Sequence, residues 1–206
     1  WIMKGIQNGQ KSIFMVPRRT AGVAYGEKNG GLWLDVTPGT DLLVINAIAR
    51  TIVENGWEDS EWIKKWVNNK WESSSGFGQG TRNTPWQWRT TWGKFQTKGF
   101  ADWKKWLLSR DEFKVENASA VSGVAAKKIL TAAEWLAKPK NGKRPKTSIM
   151  IEKGLYWSNN TGSTEAISAL GIIIGAGGRP GQVIGRAGGH QRGGQRGGKY
   201  PRNKSP

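Results

Sequence analysis

The sequence predicts an α/β fold: a Rossmann-like, mostly parallel sheet with covering helices. Three observations predict it. Short runs with strand character alternate with longer runs of helical spacing, which is the pattern of a parallel sheet. The joining segments carry Gly, Pro, Thr and Asp where turns and helix starts need them. Finally, 206 residues at 36% hydrophobic and 23% charged suffice for a buried core and fit neither a membrane protein nor a fully disordered chain.

The elements follow in chain order. Residues 12–16 (SIFMV) form a short apolar run that reads as a buried strand, and 17–20 follow it as a loop. Residues 32–36 (LWLDV) read as a second strand ending in the turn Thr37-Pro38-Gly39-Thr40-Asp41. From Asp41 to about Glu54, Leu42, Ile45, Ala49, Ile52 and Val53 share one helical face, and Asn55-Gly56 stops the helix. A shorter helix begins near Glu58, with Trp62, Ile63 and Trp66 on one side.

Residues at about 71–96 change character: 73–80 are rich in Ser and Gly, and Trp86, Trp88 and Trp92 recur in a polar background. They are expected to be an inserted surface excursion whose aromatics dock on their own domain or on a partner subunit. Helices follow over 100–108 and 124–137, the second with Ala126, Ile129, Leu130, Ala133 and Leu136 at helical spacing. A basic loop over 138–146 carries Pro139 and Pro145, and a third strand covers 148–151. The helix 164–174 is apolar nearly all round and should be buried. Beyond Gly175, glycine dominates and regular structure is expected to fade. The expected division is residues 1–178 as the α/β region and 179–206 as a Gly/Arg-rich loop with a C-terminal segment.

The composition excludes several functions for these residues. With no cysteine there is no disulfide framework, Cys-ligated zinc or iron–sulfur cluster, and one histidine rules out a multi-His metal site. The longest nearly apolar stretch, 166–178, is too short to span a bilayer. The sequence starts at Trp1 and shows no basic-apolar-small leader, so it is expected to be a piece of a longer protein. The formal charge of +17 fits either a solvated basic surface or a polyanionic partner. The tail QRGGQRGG (191–198) is similar to an RGG segment, which keeps a basic nucleic-acid-binding protein as an alternative of another class.

In an open α/β sheet, ligands sit beyond the carboxyl ends of the strands, and four segments here occupy such places or follow them. Arg18, Arg19 and Thr20 offer charge and a hydroxyl to phosphate or ribose. In Pro38-Gly39-Thr40-Asp41, Gly39 permits close approach to the backbone, and the Asp41 carboxylate can accept two hydrogen bonds from a guanine. The plain alternative for Thr40 and Asp41 is a helix N-cap. In the third segment, 152–159 (EKGLYWSN), Lys153 and small polar residues suit an anionic ligand containing a ring. In the fourth, 186–191 (RAGGHQ), Arg186 supplies a fixed cation and His190 a group that titrates near neutral pH, a pair suited to an oxyanion. The alternative there is an exposed His in an Arg/Gly tail.

Taken in order, VPRRT (16–20), PGTD (38–41), NGW (55–57), AAEWLAKPK (132–140), EKGLYW (152–157) and RAGGHQ (186–191) resemble the bis-molybdopterin guanine dinucleotide oxidoreductases, the DMSO reductase family. Within it they resemble the arsenite oxidase group first and the closely related iodate reductases as the alternative. The resemblance covers most of the chain apart from 71–96. It implies part of the catalytic subunit of a larger multidomain enzyme, performing two-electron oxygen-atom transfer on a small oxyanion.

The resemblance also implies roles for individual residues. Asp41 would bind a guanine of the cofactor, with Gly39 and Thr40 shaping that pocket and Arg18 and Thr20 facing the dinucleotide. Lys153, Gly154 and Trp157 would lie near its phosphates or pterin. Arg186 would orient substrate oxygens, and His190 would hydrogen-bond them and assist proton transfer. For the full-length protein it implies molybdenum, an iron–sulfur cluster ligated outside these residues, a Rieske-type small subunit, a cytochrome or cupredoxin electron carrier, and a periplasmic location. Two positions depart from the pattern: Val16 replaces the usual acidic residue before Pro-Arg, and Ala176 replaces the usual Asn.

Overall fold

The computed structural model describes residues 2–67, 71–73, 95–97, 99–152, 154–155 and 160–186. In chain order the elements are α1 (Ile2–Gln7), β1 (Ile13–Met15), α2 (Ala21–Lys28), β2 (Leu32–Leu34), α3 (Asp41–Glu54) and α4 (Ser60–Trp66). Next come β3 (Trp71–Ser73), β4 (Phe95–Thr97), α5 (Phe100–Leu108), a 3-10 turn (Asp111–Phe113) and α6 (Val115–Ser122). The last are α7 (Ala126–Ala137), β5 (Ile149–Ile151), α8 (Asn160–Ile173) and β6 (Ile184–Arg186). Among the described residues, no helix is long and apolar enough to cross a membrane.

Two βαβ units organise the chain. β1 pairs in parallel with β2, Ile13 opposite Leu32 and Met15 opposite Leu34, with α2 as the crossover. β5 pairs in parallel with β6, Ile149 opposite Ile184 and Ile151 opposite Arg186, with α8 as the crossover. A parallel pair needs such a connection because a tight turn cannot reverse the chain twice. The mixture of helices and parallel strands is the α/β class that the sequence predicts, with the strands arranged as two-stranded pairs.

Helix α3 lies at the centre. Every residue from Val44 to Val53 is buried, and the helix packs against α5, α6, α7 and α8. A helix covered on all sides must be apolar all round, and the few polar residues that α3 buries include two with internal partners. Thr51 Oγ1 donates to the Ala47 carbonyl at 2.9 Å, and Arg50 reaches both Glu54 (2.6 Å) and the Arg110 carbonyl (2.8 Å). Gly56, with φ +65°, ends the helix as expected.

The structure adds elements to which the sequence reading assigns nothing and corrects others. Residues 21–28 form α2, which two glycines in eight positions disguise. Thr20 caps it by accepting from the Val23 N–H at 3.3 Å. Residues 111–122 hold the 3-10 turn and α6, which ends at Gly123 with φ +78°. α8 starts at Asn160, four residues earlier than its apolar run. The glycine-rich region past Gly175 contains a strand, β6, because pairing with β5 supplies the ladder that local composition does not.

Two side chains assigned to apolar faces are exposed, Trp66 (63%) and Leu130 (45%); in α7 the buried positions are Ile129, Ala132, Ala133 and Ala137. At the excursion, β3 and β4 pair antiparallel, Trp71 opposite Thr97. Trp86, Trp88 and Trp92 lie outside the described residues, as does the rest of 74–94.

Candidate site at the carboxyl ends of the strands

Parallel pairing sends both strands of a pair out at the same edge. The 16–20 and 35–41 segments therefore leave β1 and β2 together. The first of these segments is tied to β2: Val16 N–H donates to the Leu34 carbonyl at 3.2 Å, and Trp33 Nε1–H donates to the Val16 carbonyl at 2.8 Å. Arg19 then pairs with Glu27 of α2 at 2.8 Å, whereas Arg18 is exposed and has no ionic partner among the described residues. At Asp35, the hydrogen bond from Lys128 (2.9 Å) outweighs burial and holds the carboxyl below its usual range.

The second loop is a turn built for its start of helix. Thr37 N–H donates to the Ser122 carbonyl at 2.9 Å, fixing the loop to the end of α6. Pro38 and Gly39 occupy the corner, Thr40 N–H closes it onto the Thr37 carbonyl at 3.1 Å, and Gly39 has φ +88°. A proline followed by a residue at positive φ is a type II turn, which explains the glycine. A Cβ on Gly39 would meet no atom within 4 Å, so the space above it is open.

Thr40 holds the N-cap position of α3 but does not cap it; its hydroxyl donates to the Thr37 carbonyl at 2.7 Å. Asp41, half-buried in the first turn of α3, has no side-chain partner among the described residues. The result is an unspent carboxylate, two acceptor oxygens at the positive end of a buried helix, next to open backbone and one strand away from an unpaired cation. This donor and acceptor set fits a ligand with phosphate at one part and a base edge at another. A nucleotide carries both kinds of group, and the open space at Gly39 is compatible with one.

The second edge collects the other two segments. β5 runs out through Glu152 and the exposed Gly154, and Leu155 buries its side chain in the core to anchor the segment. β6 ends at Arg186, placed opposite Ile151 in the parallel register. The backbone thus delivers Glu152 and the 186 position to one edge. Lys153, Trp157 and His190 lie outside the described residues, and for Arg186 only the strand position is described.

Two further motifs turn out to be structural. Trp57 of NGW lies 5.2 Å from the Lys138 ammonium of AAEWLAKPK, and Glu134 holds the same lysine at 2.8 Å. Trp135 carries Lys11 over its ring at 4.4 Å. Of the departures, Val16 is half-buried and uses its backbone in the pair. Ala176 is buried within the core cluster.

Sequence reasoning missed a buried ionic group around the start of α4. Asp59 caps α4 through the Trp62 N–H (3.1 Å) and takes both Arg179 (2.5 Å) and Arg144 (3.5 Å) on one oxygen. Burial pushes the Asp59 carboxyl up, but the Arg179 and Trp62 hydrogen bonds and the two guanidinium charges together hold it below the usual range. Burial likewise lowers the Arg144 guanidinium, partly offset by Asp59. Next to it, Glu58 Oε1 takes Lys104 at 2.7 Å. The one signal available was an Asp three residues ahead of an aromatic helix position, a cap pattern that says nothing of its arginine partners. A shallow cleft of about 550 Å³ beside α4, lined by Trp62, Trp66, Lys64, Lys65 and Arg179 among others, uses none of the strand-end loops. No group of three or more metal-ligating side chains occurs among the described residues.

No protein-family model matches the chain. Among curated proteins, it is 53% identical over 196 residues to the iodate reductase subunit IdrA of Denitromonas iodatirespirans, covering 94% of this chain and 21% of that protein. It is 51% identical over 187 residues to the iodate reductase subunit IdrA of a Pseudomonas strain, covering 90% and 21%. It is 32% identical over 187 residues to the arsenite oxidase subunit AioA of Herminiimonas arsenicoxydans, covering 88% and 18%. The chain therefore spans about a fifth of the length of the curated relatives it matches.

Proposed function

Over the residues it shares with these relatives, the chain belongs to the DMSO reductase family of molybdopterin oxidoreductases, and from that premise we propose that it forms part of the catalytic subunit of an iodate-reductase-type enzyme. The observation that carries the substrate choice is the difference in identity, 53% to an iodate reductase subunit against 32% to an arsenite oxidase subunit. It reverses the order in which the motifs rank the two. Arsenite oxidation remains the second reading because the R-x-G-G-H spacing of Arg186 to His190 fits it equally well.

The cofactor is molybdopterin, in its bis-guanine dinucleotide form with molybdenum. When bound, it supplies the two-electron oxygen-atom transfer. The chain's own part is to hold and orient. Asp41 accepts from the N1–H and exocyclic amine of a guanine, and the open backbone at Gly39 and the turned-back Thr40 leave room for the ring. Arg18 offsets dinucleotide charge, and the Thr20 hydroxyl can still donate while accepting from Val23. Lys153, Gly154 and Trp157 would serve the phosphates or pterin. Arg186 orients the oxyanion by a charge-assisted hydrogen bond. Taking oxygen off an oxyanion as water consumes protons, and the His190 imidazole is the side chain of this segment that would pass one to the leaving oxygen. For the complete protein, the same reading includes an iron–sulfur cluster, a Rieske-type small subunit, a cytochrome or cupredoxin carrier and a periplasmic location.

The test is the complete enzyme assayed with iodate as electron acceptor and, separately, arsenite as donor. Iodate turnover should exceed arsenite turnover. His190→Ala should leave molybdenum content unchanged while lowering kcat by about 10²-fold or more, the scale of a lost proton-transfer group. Arsenite turnover alone reverses the substrate assignment, and normal turnover in His190→Ala removes His190 from the site.

A further inference from the structure

The turn between α8 and β6 is held from one side by the start of α4. Asp59 N–H donates to the carbonyl of Ile173, the last residue of α8, at 2.7 Å. Trp62 Nε1–H donates to the Gly177 carbonyl at 3.2 Å, and the Gln182 amide closes the turn onto the Gly175 carbonyl at 3.3 Å. Arg179, inside this turn, donates to Asp59 Oδ2. Gly175, at φ +67°, lies so close to the ion pair that a Cβ there would stand 2.7 Å from the same oxygen. Arg144 reaches that oxygen from the basic loop and also donates to the Trp57 carbonyl.

The two arginines share a place in the topology. Arg144 precedes Ile149, the first residue of β5, by five positions, and Arg179 precedes Ile184, the first residue of β6, by five. The two approaches are already joined there: Ser148 Oγ donates to the Gly181 carbonyl at 3.0 Å and Ile149 N–H to the Val183 carbonyl at 2.8 Å. Each strand is only three residues long, so its ladder alone fixes register weakly. A slip of one residue turns every side chain of a strand to the other face. A buried ion pair adds little net stability, and its best-attested use is to fix one arrangement against near alternatives.

We propose that Asp59 is a positioning residue: through Arg144 and Arg179 it sets the entry of both strands, and hence the register in which β5 and β6 carry Glu152 and the backbone of Arg186 to one edge. The functional consequence rests on the reading of that edge as the cofactor and substrate side; the structural part does not. The hydrogen bonds and ion pairs of Asp59 run to Trp62, Ile173, Arg144 and Arg179, so it acts through the arginines and strands.

The test is Asp59→Asn in the complete protein, read by amide hydrogen exchange and by KM for iodate. Exchange should rise about tenfold or more at 149–151 and 184–186 while 13–15 and 32–34 change by less than about twofold, a local opening rather than a global one. KM for iodate should rise more than kcat falls. Unchanged exchange at both strands, or an equal rise over the whole protein, overturns the proposal. If exchange loosens at β5 and β6 but KM and molybdenum content stay put, the positioning stands and the reading of that edge fails. Should Asp59→Asn not accumulate, Arg179→Gln, whose side chain is 37% exposed, is measured in the same way with the same expectations.

Discussion

Thr40 and Asp41 stand one position apart, and only one of them is spent on the fold. The threonine hydroxyl turns back to Thr37, and the aspartate is left with both oxygens free among the described residues. The motif that points to Asp41 is short and local, so it was legible in the sequence. That Thr40 would decline the cap was not, because the competing Thr37 carbonyl is brought near by the Pro38-Gly39 turn. Asp59 was illegible for a stronger reason: its partners Arg144 and Arg179 are far away in sequence. Its depressed pKa gives a pH prediction with a definite sign. The ionised pair stabilises the fold above the unfolded carboxyl value, near about 4, and that contribution is lost as pH falls through the lower folded value. The melting-midpoint gap between the complete protein and its Asp59→Asn variant should therefore be full at about pH 6 and shrink below about pH 4. A gap constant over that range would show that the charge of Asp59 does not contribute.

Each crossover helix spends a glycine on its strand. A Cβ at Gly26 of α2 would overlap the Phe14 ring of β1, and one at Gly171 of α8 would overlap the Ile184 side chain of β6. Close helix-to-strand approach is thus bought with helix propensity. In Gly26→Ala the helix gains about 1 kcal/mol of propensity, but overpacking against a rigid ring costs about 1–3 kcal/mol, so the net change is a loss. Adding Phe14→Leu should recover most of it, as measured by denaturant unfolding. A stabilised single variant would mean the ring moves aside freely. The same trade explains which elements the sequence revealed. α3, α5 and α7 carry long periodic runs and were predicted within two residues. α2 hides behind its glycines, and β6 exists only because β5 pairs with it.

For the molecule as a whole, the two βαβ units each bring a pair of parallel strands to one edge, and the motifs that resemble the family begin at or follow the ends of those strands in sequence. NGW and AAEWLAKPK are the exceptions, joined by the Trp57 and Lys138 contact inside the fold. The excess of 32 Lys and Arg over 15 Asp and Glu is partly spent on internal contacts such as Arg50, Arg144 and Arg179, which charge counting alone would assign to a polyanion. The absence of cysteine means that any iron–sulfur ligands must come from outside these residues. In the proposed function, the strand-end loops hold a molybdopterin guanine dinucleotide through Asp41. That assignment is tested most directly by molybdenum and released guanine nucleotide content of the complete protein, for wild type and Asp41→Ala purified alike. Both are expected in the wild type, with a fall of about tenfold or more in Asp41→Ala, the scale of a lost charged hydrogen-bond pair. Equal molybdenum and guanine content in the two proteins, or none in either, would contradict it.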